Sequence, residues 1–309
     1  MSKPVIVIVT LAVVAGLALA GYALLRGPTA HDSAQRRGKT EPSAVHRDRI
    51  QILSKRQPKS TPAQLRVAAP SAGDLPDVVA AAMTPPANAG EPTAMRYLGE
   101  SLHRCARAAR GSDEELEKRR IDLQLQLEDA LRSSGVATDR SQQAKAVAAS
   151  TEQDRALRDA CARLDPAQVS AWMSWLERAA LAGDAEAKRD YAKYAFQDYL
   201  EHGVPPSDLD EAVRRRDLVR EFSEDLLAEG DCSALSGLQW SVPDPVTAYA
   251  YQIAYVQRTR EQAIRQGADP DGFAPLDDFL AAQDARLSES QRAAARADAA
   301  YVLQHFCQG

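Results

Sequence analysis

Four cysteines, Cys105, Cys161, Cys232 and Cys307, are the side chains with the most distinctive chemistry in this chain. They form an even set without a Cys-x-x-Cys spacing, which suits two disulfides better than zinc-ribbon or thioredoxin-like chemistry. Four cysteines allow three connectivities. His103 with Cys105, and His305 with Cys307, each place two metal-ligand types two residues apart. On a helix such residues stand about 200° apart around the axis, so neither pair can hold one ion from within a regular helix. No metal site is expected. Carboxylates gather at Asp113-Glu114-Glu115 and at Asp277-Asp278, where an acid and a base could be sought. Both runs fall near helix starts, where negative charge complements the helix dipole without any catalytic role. The sequence holds no glycine-rich phosphate loop, nucleophile elbow, His-Glu-x-x-His or dinucleotide fingerprint. It therefore predicts no catalytic, cofactor-binding or metal-ligating residue and no cofactor. The rings are read mainly as core, with Trp172, Tyr199 and Trp240 as candidate contacts to a partner peptide.

The elements that would position these residues are helical. Hydrophobic residues make up 45% of the 309 positions but aromatics only 6%, and alanine is abundant, a composition for close-packed helices rather than a β-sandwich. Three segments divide the chain. Residues 1–25 contain an uncharged run, 4–25, long enough to cross a bilayer core, read as a transmembrane signal anchor or a cleaved signal peptide. The small-x-small pattern Ala18-Leu19-Ala20 supports cleavage, whereas the apolar run continues beyond it. Residues 26–90 have the Pro-, Ala- and Arg-rich composition of a disordered linker. Residues 91–309 are expected to form an all-helical repeat domain. Net charge is +1, +5 and −11 over the three segments, so the folded part offers no basic surface for nucleic acid.

Helix signals recur from Glu91 onward. Pro92 opens a helix ending near Gly111, and Ser112 with Glu115 forms a capping pattern for a second that runs to Gly135. Asp165 with Pro166, Asp244 with Pro245, and Ser288 with Gln291 mark three further starts. Over 172–203 two helices are joined by a turn at Gly183-Asp184, with Trp172, Trp175, Ala179 and Ala180 on or near one face. The rings are expected to fill the seam that the small residues open. The segment 226–234, LLAEGDCSA, echoes 179–187, AALAGDAEA. A lone helix hairpin cannot bury its apolar faces, so the pattern predicts a short α-solenoid of antiparallel hairpins.

Trp175, the Ala179-Ala180 pair, Gly183 and Ala187, followed by Gly203-Val204, Asp208 and Ala212, resemble the Sel-one-like, tetratricopeptide-related repeat. The resemblance covers residues 166–212. It departs from the family where Tyr191-Ala192 replaces the usual Leu-Gly, where the second helix reads one turn longer, and at His202. It implies a helical-repeat fold closed by a terminal capping helix over Leu287–Cys307.

Neighbours in a stacked helical array are near in sequence, so the expected bridges are Cys105–Cys161 and Cys232–Cys307. Disulfides place the body outside the reducing cytoplasm. The basic residues Arg26, Arg36, Arg37 and Lys39 after the span argue the opposite orientation, although long domains are translocated largely regardless of charge. The reading is a single-pass protein of the inner (cytoplasmic) membrane of a bacterial-type envelope, its body facing the periplasm. It is expected to act as a non-enzymatic interaction or assembly module that binds another envelope protein or peptide. The alternatives are an envelope enzyme using acidic residues in a helical cleft, and a cytoplasm-facing membrane scaffold with four free thiols.

Overall fold

The computed structural model describes residues 67–108, 112–134, 140–267 and 269–308. The expected membrane anchor and most of the expected linker lie outside these residues. Among the described residues the chain is all-α, without a strand, and no helix is long and apolar enough to cross a membrane. It divides into two units, one ending at Ala187 and one whose described part begins at Lys188.

In the first unit, α1 (Pro76–Asn88) packs on α2 (Pro92–Ala108), and α2 also packs on α4 (Arg140–Cys161) and α6 (Trp172–Leu181). The hairpin partner of α4 is α3 (Asp113–Ser134), and the short α5 (Pro166–Ser170) leads into α6. Helix α2 is central because it buries residues on more than one face: Met95, Leu98, Leu102 and Cys105 form one stripe, and Gly99 and His103 extend the burial around the helix. Each large apolar side chain buried this way contributes about 1.5–3 kcal/mol of transfer free energy. Gly99 lets α6 approach, since a Cβ there would stand 2.9 Å from the Leu176 side chain. The Cys105–Cys161 disulfide, with Cα atoms 5.2 Å apart, ties α2 to the end of α4.

The linker expected through residue 90 ends earlier than its composition suggests. Pro76 starts α1 at a position where its missing N–H costs nothing, and Val79, Ala80, Met83 and Ala87 are buried. Pro85 and Pro86 fall in the last turn, where each lacks the N–H that would bond the carbonyl four residues back, and the helix ends within three residues.

The second unit contains the end of α7 (Ala185–Tyr194), α8 (Gln197–His202), α9 (Leu209–Ala228), α10 (Leu235–Ser241), α11 (Pro245–Arg265), α12 (Ala274–Asp284) and α13 (Glu289–Phe306). Helix α10 packs on α9 and α11, and α11 packs on α12 and α13. Leu226, Leu227, Leu235, Leu238, Tyr251 and Val302 are essentially inaccessible and form the core. The second disulfide, Cys232–Cys307, has Cα atoms 5.6 Å apart and fixes the end of α13 beside the turn that follows α9.

Local chemistry sets the helix limits. Asp165, Asp244 and Ser288 each accept a backbone N–H of the helix that follows, and Ser288 with Gln291 completes a reciprocal capping box. Gly183 and Gly230 have φ of 95° and 88°, a backbone conformation that costs glycine little. Each starts the same stop signal. The glycine N–H bonds the carbonyl three residues back, and the next residue's N–H bonds the carbonyl five back, a Schellman closure. Asp184 and Asp231 then accept the N–H of Ala187 and Ser233. A third copy of this turn stands at Gly90-Glu91, at the boundary expected between linker and helical domain.

Two further expectations change. The second helix of the 172–203 hairpin is broken at Ala195-Phe196 into α7 and α8, because Arg215 of α9 takes the Ala195 carbonyl at 2.9 Å and pairs with Asp198. The seam beside Ala179 and Ala180 is filled by the fully buried Leu176, whereas Trp172 and Trp175 are half-exposed.

Candidate functional site

Helix α9 is strongly charged, yet Leu209, Ala212, Val213 and Arg216 recur on it at i, i+3, i+4 and i+7, one face of a helix. Pro245, Ala248, Tyr249 and Gln252 repeat the same spacing on α11. Both stripes line one cleft of about 870 Å³ in the second unit, a size and a largely apolar lining that suit a ligand site. Trp240 of α10 and the Val242-Pro243 connection lie between the two stripes in sequence and also line it. Leu287 and Arg286, from the connection between α12 and α13, supply a further wall.

Exposure distinguishes the rim from the interior. Leu209 and Val213 keep 57% and 46% of their surface exposed, so the cleft presents large apolar side chains to solvent. Tyr249 is only 5% exposed; its ring lines the cleft while its hydroxyl donates to Asp284 at 2.8 Å, holding α12 in place. Burial and that hydrogen bond push its phenol up to about 12, so it is a neutral group near neutral pH. Gln252 is 3% exposed, and its Oε1 is buried without a hydrogen-bond partner. Arg216 has its Nη2 3.5 Å from Asp217, while its Nε is buried and unbonded.

The lining combines apolar side chains with hydrogen-bonding and positively charged groups. Among the described residues that line the cleft there is no carboxylate, histidine, cysteine, serine or threonine; the polar groups are arginines, glutamines and the ring-bearing Trp240 and Tyr249. Such groups donate and accept hydrogen bonds and supply positive charge, but none is a nucleophile or a proton-transfer group near neutral pH.

Of the three expected partner contacts, Trp240 lines the cleft. Trp172 belongs to the other unit, half-exposed, with its ring 4.2 Å from that of His103. Tyr199 is corrected: it is 5% exposed and lies beneath the Arg215 guanidinium, 4.8 Å from it, so it is a core residue of the α8–α9 contact. Burial pushes its phenol upward. The sequence reading missed Tyr249, Gln252 and Arg216. Their signal is the pair of i, i+3, i+4, i+7 stripes, which on α9 is masked by the charged residues between them.

The histidines beside the cysteines occupy other roles. His305 stacks on Tyr301 with ring centroids 3.9 Å apart, and the neighbouring Cys307 is committed to its disulfide. Among the described residues no group of three or more His, Cys, Asp or Glu side chains is placed to hold a metal ion.

No protein family, curated protein or solved structure matches this chain.

Proposed function

We propose that this protein is a non-enzymatic interaction module whose cleft binds a peptide segment of another envelope protein. The observation that carries this reading is the lining of the cleft: exposed apolar side chains at its rim, rings and glutamines inside, and no carboxylate among the described lining residues. A carboxylate-using enzyme would need the opposite, convergent acids with perturbed titration in a pocket. The recurrence of one Gly-acid turn at residues 90, 183 and 230 supports the further reading that hairpins related to the Sel-one-like repeat stack as a short solenoid. The two disulfides and the uncharged run 4–25 support an inner-membrane protein with its body in the periplasm.

Photo-crosslinking in the native cell tests the reading. A photoreactive amino acid at Leu209 or Val213, both solvent-exposed, should yield a discrete adduct with one envelope protein. The same group at Leu181, equally exposed in the other unit, should not. Identical adduct patterns from all three positions, or none from the cleft, would refute a binding role for it.

A further inference from the structure

Two polar atoms of the cleft have nothing to bond. Gln252 is buried to 3% exposure on α11 and lines the cleft, and its Oε1 has no hydrogen-bond partner. A buried acceptor of this kind is costly unless a donor reaches it, and here the open side is the cleft. Arg216, the last residue of the α9 stripe, lines the same cleft with its Nε buried and unbonded. One atom asks for a donor and the other for an acceptor. Charge sharpens the second requirement. Arg216 and Arg286 both line the cleft, and no Asp or Glu among the described residues does. Asp217, 3.5 Å from Arg216 Nη2, leaves the Arg216 Nε unbonded, and Asp284, behind Tyr249, is already bonded to that hydroxyl and to Arg296 at 2.8 Å.

An extended polypeptide meets both demands, because its backbone N–H groups are donors that must be satisfied once water is excluded. Apolar side chains of such a segment match the exposed Leu209 and Val213. The chain's own linker is a poor match, since residues 26–66 hold ten Lys and Arg against three Asp and Glu and would bring like charge to the arginines.

We propose that the cleft takes an extended, apolar segment of a partner protein with an internal Asp or Glu, its carboxylate set on Arg216 and a backbone N–H given to Gln252. This rests on the peptide-binding reading above and adds the chemistry of the peptide.

The experiment is a peptide-display selection on the full chain held in nanodiscs, with empty nanodiscs as the control. Twelve-residue random segments are displayed with both ends joined to carrier protein, and in parallel with a free C-terminus. Sequencing reads the ratio of Asp and Glu to Asn and Gln in the recovered segments. Wild type should raise that ratio about tenfold over the input, the size of one charge-assisted hydrogen bond, and equally in both formats. Arg216→Gln should return the ratio to that of the input, while Arg216→Lys, which keeps the charge, retains a preference for acids. Gln252→Leu should lower recovery of all segments without changing the ratio. Recovery of apolar segments with no acidic preference would overturn the proposal and leave peptide binding standing. Acidic preference that persists in Arg216→Gln, or enrichment confined to free C-termini, would also overturn it. No recovery above empty nanodiscs would remove both readings.

Discussion

Helix α10 crosses α9 at Gly237, and the closeness of that crossing can be tested by adding one carbon. A Cβ at position 237 would stand 2.3 Å from Ser223 Oγ, and 3.4 Å from both Ser223 Cβ and Val219 Cγ1. Only the hydroxyl is in serious conflict. Ser223 is fully buried and its Oγ has no hydrogen-bond partner, so the group that obstructs alanine also contributes no bond of its own. Gly237→Ala gains about 1 kcal/mol of helix propensity. It loses about 1–3 kcal/mol to overpacking in a site with no free surface. The expected net effect is a loss of about 1 kcal/mol, or a fall in melting temperature of about 2–4 °C for a body of this size. Ser223→Ala removes an unbonded buried hydroxyl and should leave stability unchanged or raise it slightly. In the Ser223→Ala background the remaining neighbours sit at 3.4 Å, so Gly237→Ala should become neutral or stabilising. The two substitutions should therefore couple by about 1–2 kcal/mol, a value outside the additive range. Thermal unfolding of the four proteins, followed by far-ultraviolet circular dichroism, measures it. Additive effects, with Gly237→Ala costing the same in both backgrounds, would refute the assignment of the conflict to the hydroxyl.

Three further outcomes follow from the same packing and charge relations. Gly99→Ala should destabilise the first unit, because its Cβ would meet the Leu176 side chain at 2.9 Å, and Leu176→Val in the same chain should recover part of the loss in a melting experiment. Removing the Cys232–Cys307 bridge by a double Cys→Ser substitution releases a 75-residue span. The chain-entropy model values that constraint at about 4 kcal/mol, and a midpoint in urea unchanged from wild type would contradict it. Hydrogen bonds from Arg214, aided by Arg215 and opposed by partial burial, hold Glu211 down at about 2 against an ordinary 4.5. Its folded-state value lies below its unfolded one, so its contribution is complete above pH 4.5 and is lost as pH falls toward 2. Exposure of 37% at its side chain screens the effect, so the loss is small. Glu211→Gln should lose stability less steeply than wild type in that window, and parallel acid-unfolding curves would count against the assignment.

The helical class was legible because local signals agreed with one another. Caps at Asp165, Asp244 and Ser288 coincide with helix starts, and the Gly183-Asp184 and Gly230-Asp231 turns close helices by the same bonds. What escaped the sequence depended on long-range partners or on averaging. Helix α1 was hidden by the proline content of a 65-residue stretch, although Val79, Ala80, Met83 and Ala87 mark a buried face within it. The break between α7 and α8 depends on Arg215, twenty residues away, capturing a backbone carbonyl. Tyr199, a candidate partner contact by its ring alone, is covered by the guanidinium of Arg215, sixteen residues away in sequence. The cleft needed two stripes from helices separated in sequence to be recognised together. Either stripe alone reads as an ordinary core face.

The proposed export of the body, and with it the proposed partner, rests on the clamping of its helices by two disulfides. Mass mapping of the full chain, alkylated on isolation from its native membranes and digested without reduction, tests them most directly. The account predicts two linked peptides, Cys105 with Cys161 and Cys232 with Cys307, and no alkylated cysteine. Four alkylated cysteines would contradict it.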